Sequence, residues 1–128
     1  MIDHTGLTVG DFEVSRNFYT RALLPLGYAM LMEFPRDQTG GAGAAGFGVP
    51  PRTDFWIMGG RPNTPRLHVA FRAGNRALVD AFYQAALAAG GRDNGAPGLR
   101  PHYHENYYGA FVLDPDGHNI EAVCHDPA

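Results

Sequence analysis

Three side chains in this sequence have the types and spacing for metal chemistry: His4, His68 and Glu121. His4 opens a stretch in which Thr5, Leu7 and Val9 alternate with His4, Gly6 and Thr8. His68 lies 64 positions later (68 − 4) in a stretch in which Leu67, Val69 and Phe71 alternate with His68, Ala70 and Arg72. Near the end, Ile120, Ala122 and Cys124 alternate with Glu121, Val123 and His125. Alternation at period two sends one set of side chains to a core and the other to the opposite face. All three candidate ligands therefore fall on the face opposite the apolar set. Two imidazoles and a carboxylate suit a divalent first-row metal such as Fe, Mn, Zn or Ni, with positions left open for water or substrate. Gly6, Thr8 and Ala70 on that face are small and leave space beside the polar groups. The alternative, that each histidine is an ordinary strand residue, stays open on spacing alone.

Groups able to move protons near neutral pH concentrate in a second segment, Arg100-Pro101-His102-Tyr103-His104-Glu105-Asn106-Tyr107-Tyr108. Of these, His104 and Tyr108 are the candidates for catalytic roles, against the reading of a polar loop whose rings cover a sheet edge. His125 shares the Glu121 face but stands about 13 Å further along an extended strand, as a rim residue. His118 falls in a turn and is expected to be solvated. Phe55 and Trp56 are adjacent, so one fills the core and the other lines the open face. Cys124 falls on the apolar face and reads as core packing rather than a nucleophile.

The elements that must position these groups come from a duplication. The same shift of 64 pairs Gly10 with Gly74, Phe18 with Phe82, Tyr19 with Tyr83, Ala22 with Ala86, and Phe47 with Phe111, with no gap introduced. After each first strand comes a helix. Asp11 caps one, with Val14, Phe18 and Ala22 recurring four apart before Pro25; Asn75 caps the other, with Leu78, Phe82 and Ala86 recurring before Gly90-Gly91. Further strands are expected over about 28–34, 45–49, 53–58, 107–113 and 119–125, plus a poorly marked one near 92–96, where Asn94, Gly95 and Pro97 read as turn. The expected fold is α+β: two tandem βαβββ modules, about 1–64 and 65–128, in a single domain spanning 1–128, with helices that cover the apolar faces.

The totals agree. At 128 residues, 45% hydrophobic and 18% charged, the chain has room for one core. A net charge of −3 with scattered basic residues gives no case for nucleic acid. No apolar stretch approaches the roughly twenty residues of a membrane span, and one cysteine suits a reducing, cytoplasmic setting. Two decoys fall away. Gly41-Ala42-Gly43-Ala44-Ala45-Gly46 has the dinucleotide-binding letters but leads into Phe47-Gly48-Val49-Pro50-Pro51, which cannot open a helix. Asp114-Pro115-Asp116-Gly117 is too short for a calcium loop and reads as a tight turn between strands.

Ile2-Asp3-His4-Thr5-Gly6-Leu7-Thr8-Val9, the Phe18-Tyr19 helix and Asp114-Pro115-Asp116-Gly117-His118-Asn119-Ile120-Glu121 together resemble the vicinal oxygen chelate superfamily of glyoxalases, bleomycin-resistance proteins and extradiol dioxygenases. The resemblance spans nearly the whole chain. It implies paired modules that form a cup-shaped, partly open barrel-like sheet, often completed or stabilised in a homodimer, and metal ligands at His4, His68 and Glu121. It implies a small-molecule substrate whose adjacent oxygens are chelated, with lyase, isomerase or dioxygenase-like chemistry. Glyoxalase I-like enzymes carry a fourth ligand on the last strand of module one. The constant shift places Ile57 there (121 − 64), beside Trp56, and neither binds metal. That departure speaks against glyoxalase I itself and keeps open a metal-free protein that sequesters an aromatic drug or metabolite.

Overall fold

A computed structural model describes all 128 residues. Each half runs strand, helix, three strands. The first contains β1 (Thr5–Val9), α1 (Phe12–Ala22), β2 (Ala29–Phe34), β3 (Ala44–Gly48) and β4 (Phe55–Gly59). The second contains β5 (His68–Arg72), α2 (Arg76–Ala88), β6 (Arg92–Leu99), β7 (Tyr108–Leu113) and β8 (Asn119–Cys124). Each half forms one mixed sheet, ordered β1-β4-β3-β2 and β5-β8-β7-β6, with the outer strand of each helix connection parallel to the last strand of its module. The fold is α+β, as expected. Within one chain the two sheets stay separate and are not closed into a barrel.

The helices start where their caps predict. The Val14 N–H donates to Asp11 Oδ1 and the Leu78 N–H donates to Asn75 Oδ1, which satisfies donors that a helix N-terminus would otherwise leave unpaired. Helix α1 turns Phe12, Ser15, Phe18, Tyr19 and Ala22 inward, while Val14, expected inside, is half exposed. Its place is one position off the buried stripe. One hydrophobic cluster takes residues from both halves; Phe55 of β4 meets Phe71 of β5 edge-to-face at 5.1 Å between ring centroids and also packs on Tyr19.

Two local expectations are corrected. Strand β6 is eight residues long despite Asn94, Gly95 and Pro97. It is an edge strand, and its register against β7 shifts at Asp93/Gly95 and at Gly95/Gly98, so bulges and a free edge accommodate residues that a central strand would reject. The constant shift also breaks. Gly6 pairs with Trp56, whereas Ala70 pairs with Glu121, so the last strands are related by 65 positions (121 − 56). The module-one counterpart of Glu121 is Trp56, and Ile57 points into the core, fully buried. By the same step Phe111 corresponds to Gly46 and not to Phe47, since those two residues oppose Glu121 and Trp56 respectively.

Candidate metal centre

The open face of the second sheet gathers the polar chemistry. The His68 Nε2–H donates to Glu121 Oε1 at 2.9 Å, from the first residue of β5 to the third of β8. Glu121 is 1% exposed, and its second oxygen, Oε2, accepts from the Tyr107 hydroxyl. Gly109 lies beside them: a Cβ there would come within 3.3 Å of Glu121 Oε2 and 3.2 Å of the Tyr107 ring. The missing side chain lets the Tyr107 ring and the Glu121 carboxylate close over this position. Partial burial first, and the Glu121 carboxylate next, hold the Tyr107 hydroxyl well above the ordinary phenol range. It remains a proton donor at neutral pH. The His68 ring is half exposed and tilts over Phe111.

Other candidates lie elsewhere. His4 precedes β1, is exposed, and bonds through Nδ1 to Asp3 Oδ1 at 2.8 Å. The ligand atoms of His4, His68 and Glu121 do not form a set within 4.8 Å of one another in one chain. His4 instead borders a cavity of about 680 Å³ on the open face of the first sheet, with Thr8, Met32, Thr53, Trp56 and Met58. Tyr108 faces the helix layer: its hydroxyl donates to Asp80 of α2 and the Arg76 guanidinium lies over its ring. Adjacent strand residues point to opposite faces, so the phenol on the carboxylate is Tyr107. His104 pairs with His125 at 2.8 Å between Nε2 and Nδ1 and packs edge-on against the Tyr107 ring, one layer from Glu121. Tyr107 shares the parity of Gly109 and Phe111, which puts it on the face of Glu121 once the start of β7 is known.

His118 is not solvated. It is fully buried, its Nδ1 accepts the Leu67 N–H at 3.0 Å, and its Nε2–H donates to the Thr8 carbonyl at 3.1 Å. With Asp114 and Asp116 it forms the one set of three potential metal ligands whose atoms converge. Those atoms are already bonded. Asp114 accepts from the Tyr19 hydroxyl and from the N–H groups of Asp116 and His118, and Asp116 accepts from the Gly10 N–H. The turn is thereby stitched to module one.

The Trp56 side chain lies across β3, with its six-membered ring close over Gly46, where a Cβ would fall 3.0 Å from ring atoms. Phe34 is nearly parallel to it at 15°, with centroids 6.1 Å apart. These rings, with exposed Met32 and Met58, make an apolar floor.

A family model described as Glyoxalase/Bleomycin resistance protein/Dioxygenase superfamily matches residues 1–122. The chain belongs to this superfamily. Members commonly bind divalent metals and small molecules and often form dimers. The superfamily chain is similar to a glyoxalase/bleomycin resistance protein from Albidiferax ferrireducens T118, with 28% identity, a TM-score of 0.78, and coverage of 98% of this chain and 99% of that one. It shares its fold with a glyoxalase-related enzyme from Fulvimarina pelagi (21% identity, TM-score 0.70, 97% of this chain and 87% of that one). The fold also matches the V278E mutant of glyoxalase I from Zea mays (19% identity, TM-score 0.68), of which 43% is covered by 95% of this chain. No curated protein matches this superfamily member. No helix in it is long and apolar enough to cross a membrane.

Proposed function

We propose that this protein is a cytoplasmic small-molecule metalloenzyme of the vicinal oxygen chelate type, with its metal site completed in a homodimer. His68 and Glu121 of one copy and His4 of the partner subunit would hold the ion. The observation that carries this reading is the His68–Glu121 contact, in which an imidazole half exposed on the open face meets a buried carboxylate. The donor set fits the group: imidazole nitrogen and carboxylate oxygen are both ligands of first-row divalent metals. His4 stands on the other open face, so a second copy with its first sheet turned to this second sheet supplies the third donor. Two-fold symmetry makes that contact twice. It also covers exposed Met32, Phe34 and Met58, a patch that an isolated chain leaves to water.

A divalent metal held there would supply Lewis-acid polarisation of two adjacent oxygens on a small substrate. The chain's residues do the rest. Glu121 is fixed by two hydrogen bonds. Tyr107 keeps its proton and presents it at Glu121 Oε2, the proton-donor role that spacing had pointed to in His104 and Tyr108. His104 and His125 brace the Tyr107 ring. Trp56 occupies the position of a fourth ligand and offers an apolar surface instead, which separates this site from that of glyoxalase I.

Trp56 also favours a second reading, a metal-free protein that binds an aromatic molecule on the floor beside Phe34. The two differ in one experiment. Purified protein is expected to carry one divalent metal per chain, and fluorescence of its single tryptophan should respond to a planar aromatic diol only before chelator treatment. Metal-free protein with a chelator-independent response would establish the second reading instead.

A further inference from the structure

We infer that His118 is a positioning residue that sets the two site-bearing strands against each other. One buried imidazole bonds a backbone group in each: the Leu67 N–H, just before His68 at the head of β5, and the Thr8 carbonyl in β1. Only one tautomer serves both bonds. Nδ1 accepts and so carries no proton; Nε2 carries it and donates. The ring itself has no exposure to water, and its loss would leave both bonds unmade.

The consequence for His68 is local. Leu67 is clamped on both sides, by its N–H to His118 Nδ1 and by its carbonyl, which accepts the Asn119 N–H at 2.9 Å. His68 then pairs with Asn119, and two residues on stands Glu121. Position 118 therefore fixes where β5 begins relative to β8, and with it the approach of His68 Nε2 to the carboxylate. The consequence for the other face runs through Thr8, whose N–H is held by Asn63 Oδ1 at 2.8 Å, so that both backbone groups of this β1 residue are committed. Tyr19 and Gly10 anchor the Asp114–Asp116 part of the same turn to α1 and to the end of β1. The face with His4 and Trp56 and the face with His68 and Glu121 thus share one buried joint. The placement does not depend on metal, although its catalytic meaning rests on the function proposed above.

Two variants separate the two bonds. In H118N the amide oxygen stands where Nδ1 was and keeps the Leu67 link; in H118Q the longer amide reaches the Nε2 position and keeps the Thr8 link. Each loses one buried hydrogen bond, so their losses of stability should be similar. The His68 imidazole signals in ¹H–¹⁵N NMR are expected to stay near the native positions in H118N and to move towards those of a free imidazole in H118Q. Zn(II) titration should show affinity reduced about tenfold or more in H118Q, the usual scale for a group that orients a ligand, and by a smaller factor in H118N, where only the His4 side of the joint is released. Equal effects of the two variants on His68, or none, would overturn the inference. A ¹⁵N–¹⁵N coupling across the Leu67–His118 hydrogen bond in the unmodified protein is expected, and its absence would equally overturn it should neither variant fold. If the unmodified protein binds no Zn(II), the metal reading fails, and the NMR comparison alone decides the role of His118.

Discussion

Glu121→Gln should remove metal binding while leaving the fold intact. Glutamine is isosteric with glutamate, and its carbonyl oxygen can still accept from His68 Nε2–H. Its amide group can donate to the Tyr107 hydroxyl, which accepts as readily as it donates. No cavity opens, and the cost is limited to one amide N–H without an acceptor and a Tyr107 proton turned away from position 121, so the unfolding temperature of metal-free protein should move by only a few degrees. The ligand charge, however, is lost from a carboxylate that is almost fully buried. Removal of groups that merely orient ligands weakens metal affinity by about 10–100-fold. Loss of the ligand itself should exceed about 100-fold by titration with Zn(II) or Ni(II). Metal content equal to that of the unmodified protein would remove Glu121 from the site.

The second large effect separates two neighbours in β4. Phe55 and Trp56 are consecutive, yet Phe55 is 1% exposed among Tyr19, Phe47 and Phe71, while Trp56 lies on the open face. Phe55→Ala should cost about 3–5 kcal/mol, because the cavity would open at the junction of the two modules, where the surroundings cannot collapse without separating them. Against a total of about 5–15 kcal/mol, that lowers the unfolding temperature by roughly 10–20 °C. Trp56→Ala should cost less, since its ring lies on the open face, partly exposed, and is not enclosed by the core. Calorimetry of both variants tests the assignment of faces, and similar losses would contradict it.

Period-two alternation is enough to assign Glu121 and His68 to their face and to set Phe55 and Trp56 on opposite faces, without saying which is inside, and Asp11 and Asn75 mark their caps, because these are set by residues within a few positions. The sequence arguments that failed each needed information from further away. The shift of 64 holds through both helices and breaks before the last strands, and one inserted residue is invisible where identities are sparse. That single step exchanges Ile57 for Trp56 as the counterpart of Glu121. Tyr107 and Tyr108 differ only in phase, and the phase of β7 is set by its pairing with β8, for which the preceding loop carries no signal. His118 resembles any polar turn residue until its partners, 51 and 110 positions away, are known. His4 has the right parity, but parity assigns a face and not the sheet opposite to it.

A site in which a second copy supplies His4 can be read out by mixing subunits. A His4→Ala chain and a Glu121→Ala chain should each bind no metal as homodimers. In their heterodimer, one of the two sites receives His4 from the Glu121→Ala copy and His68 and Glu121 from the His4→Ala copy, so it is intact. Random mixing makes half of the dimers heterodimers, and the refolded mixture should recover about a quarter of the native metal content. No recovery in a preparation shown to contain heterodimers, or full metal content in the His4→Ala protein alone, would contradict a site shared between two copies.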